Sequence, residues 1–227
     1  MQGNSDGTDC PSLTCKETEK YRDELEFRTG KDSISEKASH KISLRIVNLE
    51  NNMNYATIKT NDISNGPGIR VSLYVSGCTH HCRECFNPET WDFDYGKKFD
   101  DVTTEFIIEA MSPEYVKGFS LLGGEPFEPE NQPALVLLLE KLRKRYPEKS
   151  VWCYTGYLFD RDIVAHRLGD SETTDRLLNC IDVIVDGEFQ IENKVLDLRF
   201  RGSTNQRIID VKASLITNEV VLWKDDF

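Results

Sequence analysis

From Met53 onward the chain alternates short apolar runs with amphipathic stretches, and this alternation restricts the fold more than any other feature of the sequence. Residues 69–75 alternate as a strand does, and 103–111 predict a helix with Phe106, Ile107, Ala110 and Met111 on one face. A short apolar strand over 119–122 runs into Gly123 and Gly124. The strongest helical pattern comes next, with Asn131 as a predicted N-cap, Pro133 in the first turn, and Leu135, Leu138, Leu139 and Leu142 at i, i+3, i+4 and i+7. Residues 151–154 predict another strand, 160–179 a helical stretch broken at Gly169, and 181–185 an apolar strand that ends at Asp186 and Gly187. Strands alternating with helices imply βαβ units and a mostly parallel sheet. In such sheets chemistry gathers at the carboxyl ends of the strands. Cys78, Cys82 and Cys85 follow the first of these strands, Gly123-Gly124-Glu125-Pro126 the second and Gly156 the third, so all are expected on one rim.

Residues 1–52 have a different character. They are polar, hold 8 basic and 10 acidic residues, and show no sustained apolar period before 42–46. The expected organisation is therefore a disordered polar extension over 1–52 and one folded domain over 53–227. The alternative is that Met53 is the true start, which the mass of the native protein decides. The whole chain of 227 residues carries a net charge of −11. That balance argues against non-specific nucleic-acid binding, which needs cationic side chains for the phosphates, and against docking to an anionic membrane. The longest aliphatic stretch, 134–139, is far short of the roughly 20 residues that span a bilayer. The first residues lack the basic-then-apolar pattern of a secretory signal, so the expected location is the cytoplasm, where thiols stay reduced.

Three of the seven cysteines crowd into eight residues, Cys78-Thr79-His80-His81-Cys82-Arg83-Glu84-Cys85. A loop of this spacing can wrap three thiolates around one metal centre. A structural zinc site wants four ligands, and His80, His81, Cys153 or Cys180 is available to complete one. A cubane iron–sulfur cluster has four irons, so three thiolates leave one iron open to an outside ligand. The residue types alone leave both readings open.

The spacing Cys-x3-Cys-x2-Cys after a first strand, with Gly123-Gly124-Glu125-Pro126 after the second, resembles the radical S-adenosylmethionine enzymes. Further segments in order narrow the match. These are Asn65-Gly66-Pro67-Gly68, Ser76-Gly77-Cys78, Cys85-Phe86-Asn87 followed by Trp91, Trp152-Cys153-Tyr154-Thr155-Gly156-Tyr157, Val185-Asp186-Gly187 and Arg201-Gly202-Ser203-Thr204-Asn205-Gln206. Together they resemble the glycyl-radical activating enzymes that serve anaerobic ribonucleoside-triphosphate reductase, over about residues 53–211. One departure from the wider superfamily stands out. The residue before the third cysteine is Glu84 rather than an aromatic, and Phe86 follows that cysteine, as is usual in this subfamily.

The resemblance implies an α/β fold, an incomplete TIM-like βα barrel. It implies that Cys78, Cys82 and Cys85 hold a [4Fe-4S] cluster, and that S-adenosylmethionine chelates the open iron. One electron from a small donor such as flavodoxin or ferredoxin cleaves the sulfonium, and a 5′-deoxyadenosyl radical takes a hydrogen atom from a glycine Cα in the reductase's large chain. No catalytic residue beyond the cluster ligands is implied. Backbone groups of Glu84 and Cys85, the Phe86 ring, the Gly123-Gly124 turn and Glu125 are expected to contact the cofactor, Glu125 by accepting from the methionine ammonium. Phe86 is equally readable as core, and the glycine turn as an ordinary strand exit. Tyr157, Asp186, Asn205 and Gln206 are read either as shaping the site or its docking surface, or as structural, and His166 as a surface residue. The competing functions are activation of another glycyl-radical enzyme such as pyruvate formate-lyase, an enzyme of deazaguanine synthesis, and a non-catalytic zinc-stabilised binding module.

Cys10 and Cys15 stand apart from the cysteine loop and read as incidental thiols. Cys10→Ala and Cys15→Ala are each expected to leave activity intact, measured as 5′-deoxyadenosine formed by the full chain. Loss in either would assign the extension a part in the chemistry.

Overall fold

The computed structural model describes residues 53–224, so the expectations for 1–52, with Cys10 and Cys15, lie outside the described residues. Seven strands form one sheet in the order β3-β1-β2-β4-β5-β6-β7. The strands are β1 Asn54–Asp62, β2 Ile69–Val75, β3 Lys97–Lys98, β4 Val116–Gly123, β5 Ser150–Tyr154, β6 Val183–Asp186 and β7 Arg207–Asp210. The central four, β2, β4, β5 and β6, run parallel. The outer pairs β1–β2, β1–β3 and β6–β7 are antiparallel. The sheet is therefore mixed and open, with β3 and β7 as its edges.

The helices are α1 Asp101–Ala110, α2 Gln132–Arg145, α3 Ser171–Asn179 and α4 Val211–Thr217. Three begin on an aspartate whose side chain accepts from a backbone N–H of the first turn: Asp100 from Thr103, Asp170 from Thr173 and Asp210 from Ala213. The predicted cap Asn131 does not follow this rule. Its backbone is already helical, and its amide Nδ2 donates to the carbonyls of Ser76 and Glu125 at 3.0 and 2.9 Å. The residue that looked like a helix start joins the ends of β2 and β4. The helical stretch expected over 160–179 with a break at Gly169 is a π-helical turn at Phe159–Ile163 followed by α3. They are separated at Gly169, whose φ of +77° is a left-handed conformation that glycine adopts without strain. Among the described residues no helix is long and apolar enough to cross a membrane.

One sheet face supplies Val71, Leu73, Val75, Phe119, Leu121, Val151 and Ile184 to a core shared with Leu135, Leu138 and Leu139 of α2. The other face is covered by loops, and Trp152, Val183 and Val185 pack there with Phe200 and Trp223. Burial on both faces is why 181–185, which contains most of β6, reads as a nearly continuous apolar run.

Arg70 lies fully buried in β2. Its guanidinium donates to Ser120 Oγ at 2.6 Å, Phe119 O at 2.7 Å, and Ser150 O and Oγ at 3.0 Å each. One side chain thus clamps β2, β4 and β5. Burial pulls its pKa down to about 10, so it stays charged at neutral pH. Arg70→Met is expected to lower the unfolding free energy by about 3 kcal/mol, because several acceptors lose a charged donor at once. Urea unfolding of the full chain checks this. A loss below about 1 kcal/mol would show that the clamp contributes only an ordinary hydrogen bond.

Candidate metal centre

The three cysteines sit on the loop that leaves the carboxyl end of β2. Gly77 opens this loop at φ +90°, and a Cβ there would meet the Phe93 ring at 2.3 Å. Gly77 and Cys78 donate their N–H groups to Thr90 O and Trp91 O, which closes the loop on itself. Within it Cys85 N donates to Cys82 O, a tight turn that places Glu84 at φ +60°. The loop is anchored to β4's rim by Thr79, whose N–H and hydroxyl both donate to Glu128 Oε1 at 2.7 and 2.6 Å.

Cys78, Cys82 and Cys85 line a cleft of about 180 Å³ together with Phe86, Gly123, Gly124, Glu125, Thr155, Gly156 and Gln206. The ends of β2, β4 and β5 therefore meet at one place, as their parallel arrangement requires. Gly124 N–H donates to Val75 O at 2.7 Å and Glu125 N–H to Gly77 O at 2.8 Å. A Cβ on Gly124 would lie 2.5 Å from Gly77 O, so this glycine is required by close strand-end packing.

Glu125 is 1% exposed. Its Oε1 accepts from Phe127 N–H and Thr155 Oγ1, both at 2.8 Å, and its Oε2 accepts from Gly156 N–H at 2.7 Å. His80 Nε2 stands 3.2 Å from the same Oε2, a charge contact without hydrogen-bond geometry. His80 Nδ1 lies 2.9 Å from Glu188 Oε1. The imidazole thus links the cysteine loop to the ends of β4 and β6. Burial disfavours its charged form, but Glu125 and Glu188 outweigh burial and raise its pKa to about 9.

The other predicted residues separate into two groups. Phe86 is 66% exposed, packs on Phe189 at 5.2 Å and carries the Lys194 ammonium 5.3 Å from its ring, so it is a cleft wall and not core. Gln206 lines the cleft while holding the loop before it, accepting from Gly202 and Ser203 N–H and donating to Gly187 O. The side chain of Glu84 is exposed and outside the cleft lining. Asp186 is buried in an ion pair with Arg207 and accepts from Phe159 N–H, a structural role. Asn205 donates to Glu188 O, Tyr157 packs on His80 at 4.4 Å, and His166 pairs with Asp175 on the surface. Sequence reasoning left out Thr155, Glu128 and the bridging role of His80. The flagged Gly156 beside Thr155 was the available signal.

The donor set suits an iron–sulfur cluster. The three thiols are free, and burial pushes Cys78 up to about 12 and raises Cys82, so these two need a nearby cation to ionise. Among the described residues no three His, Cys, Asp or Glu side chains stand close enough to hold one metal ion. A cubane binds each thiolate to a different iron, so the sulfurs need not meet at a point. Cys153 and Cys180 are buried in the apolar core and line no part of the cleft, and both nitrogens of His80 face carboxylates. These placements weigh against a four-ligand zinc site built from them.

A family model described as a 4Fe-4S single cluster domain matches residues 64–209. The chain is 36% identical over 174 residues to the anaerobic ribonucleoside-triphosphate reductase-activating protein of Enterobacteria phage T4, covering 77% of this chain and 100% of the phage protein. It is 37% identical over 158 residues to the protein of that name from Haemophilus influenzae, covering 69% and 97%. The corresponding Escherichia coli K12 protein is 37% identical over 156 residues, covering 68% and 96%.

His80 generates a pH test in the metal-free protein. Its folded pKa of about 9 lies above the ordinary 6.5, so its contacts add stability in full below pH 6.5 and lose it as pH rises through 9. The stability difference between wild type and His80→Gln is expected to be largest near pH 6 and to shrink toward pH 9.5, read by urea unfolding. A difference that grows with pH would contradict the assigned contacts.

Proposed function

The chain belongs to the anaerobic ribonucleoside-triphosphate reductase-activating proteins, and from that membership we propose that it generates the glycyl radical of such a reductase as a radical S-adenosylmethionine enzyme. The observation that carries this reading is the convergence of Cys78, Cys82 and Cys85 with Gly123, Gly124 and Glu125 on one cleft at the strand ends. We read the open sheet as the incomplete barrel of that superfamily.

In this reading the three cysteines hold a [4Fe-4S] cluster beside S-adenosylmethionine. When bound, these groups supply one electron and a 5′-deoxyadenosyl radical able to take hydrogen from a glycine Cα. The protein's own residues position and shield. Glu125 has three donors on its carboxylate, so in an ammonium contact it would act through its Oε2 edge, where His80 now stands. The rings of Phe86 and Phe189 form an apolar wall that limits water at the cleft mouth. The cysteine loop bears on its outer side the exposed Arg83, paired with Glu192. A small donor such as a flavodoxin or ferredoxin would deliver the electron, and the cytoplasm is the compartment that keeps these thiols reduced.

Cys78→Ala, Cys82→Ala and Cys85→Ala should each reduce 5′-deoxyadenosine formation to background. With the reductase's large chain, reductant and S-adenosylmethionine under anaerobic conditions, wild type should produce a glycyl doublet in electron paramagnetic resonance and the three variants none. Full turnover in any one variant would remove that cysteine from the ligand set. A wild-type protein that cleaves S-adenosylmethionine but radicalises only a different glycyl-radical enzyme would reassign the partner.

A further inference from the structure

His80 makes two carboxylate contacts that the proposed chemistry leaves unused. Its ring lines the cleft, packs against Tyr157 at 4.4 Å between ring centres, and belongs to a side chain that is 9% exposed. Nδ1 is within hydrogen-bond distance of Glu188 Oε1, at 2.9 Å. Nε2 stands 3.2 Å from Glu125 Oε2, shut off from solvent and without a hydrogen bond. The two partners differ in exposure, since the Glu125 side chain is 1% exposed and that of Glu188 is 54% exposed.

The place beside Glu125 admits the ring but matches it poorly. A Cβ on Gly156 would stand 2.6 Å from the His80 Cδ2 and 2.7 Å from Nε2, so the bare glycine is what makes room for the imidazole. Oε2 already accepts from Gly156 N–H at 2.7 Å, and the ring adds proximity without a hydrogen bond. A nitrogen buried in that state has lost water and gained no partner, so its hold is weak. An amino group carries several N–H donors on one small atom and can meet the same oxygen in hydrogen-bond geometry. Because the carboxylate is closed to solvent, such a group reaches Oε2 only where the ring gives way.

We propose that His80 fills the seat of the ligand's amino group on Glu125, and that the amino group of S-adenosylmethionine displaces the ring toward Glu188. The inference rests on the proposed function and deepens it, by naming the side chain that competes with the cofactor for its own contact. Displacement trades a contact without a hydrogen bond for one with it, and the exposed Glu188 keeps a partner for the departing ring. A ligand without an amino group offers Glu125 nothing in exchange and leaves His80 in place. His80 is thus a specificity-determining residue, which lowers affinity for every ligand and returns it only to those that bring the replacement donor.

The test is calorimetric titration of the full chain with anaerobically assembled cluster, using two probes. One is S-adenosylmethionine, and the other is 5′-methylthioadenosine, which shares the adenosine and lacks the amino acid. His80→Gln is expected to bind S-adenosylmethionine about tenfold more tightly than wild type, because the competing ring is gone. Its affinity for 5′-methylthioadenosine is expected to stay the same. Unchanged or weaker binding of S-adenosylmethionine overturns the inference, and so does equal tightening of both probes, since the variant then only widens the cleft. Wild type gives a second reading that needs no variant. Modification of His80 by diethyl pyrocarbonate, located by mass spectrometry, is expected to become severalfold faster when S-adenosylmethionine is added, as the ring leaves its enclosed seat. Equal or slower modification overturns the inference. A wild type that holds its cluster yet binds no S-adenosylmethionine overturns the proposed function and the inference with it, whereas normal binding with any of the contrary results above overturns the inference alone.

Discussion

A carboxylate shut away from water is tolerated only when its oxygens are fully engaged by donors, and Glu125 meets that condition at the centre of the rim. Its donors come from its own turn and from the turn after β5, and His80 of the cysteine loop stands against its outer oxygen. Three loops that are far apart in sequence are thereby fixed relative to one another. Asn131 adds a second stitch between the ends of β2 and β4, and Glu128 a third through Thr79. The shape of the cleft follows from these contacts, together with the hydrogen bonds that close the cysteine loop on itself.

The parallel centre of the sheet explains why the stitches form where they do. Parallel strands deliver all their following loops to one side, so the β2, β4, β5 and β6 loops have only that rim to share. Arg70 works at depth on the sheet face that carries Leu122 and Tyr154 to the cleft, binding the same three strands whose ends build it. Of the thiols that result, Cys78 and Cys82 are buried enough to resist ionisation by themselves. Such an arrangement suits a group that brings its own positive charge and stabilises thiolates by coordination.

The parallel strands and their common rim were legible because apolar runs and their punctuation by glycine are local properties. The positions of β2, β4 and β5 could be read for that reason, and so could the meeting of the cysteines with Gly123 and Gly124. The antiparallel strands β1 and β7 were not legible. The residues of β1 are mostly polar, β7 has only four, and both owe their extended form to pairing with a neighbour. Asn131 illustrates a second limit. A cap and a tertiary donor have the same amide, and only the position of Ser76 and Glu125 decides which role it takes. His80 illustrates a third, since its two carboxylate partners lie 45 and 108 residues away. In Glu125 the residue was identified from sequence, but its engagement with the rim emerged only from the packed loops.

The account depends most on what the three thiols bind, and metal and sulfide analysis of anaerobically assembled full-length protein addresses it directly. The prediction is about four irons and about four acid-labile sulfides per chain, with the electron paramagnetic resonance of the reduced cluster changing when S-adenosylmethionine is added. A colourless protein holding one tightly bound zinc and no sulfide would contradict it.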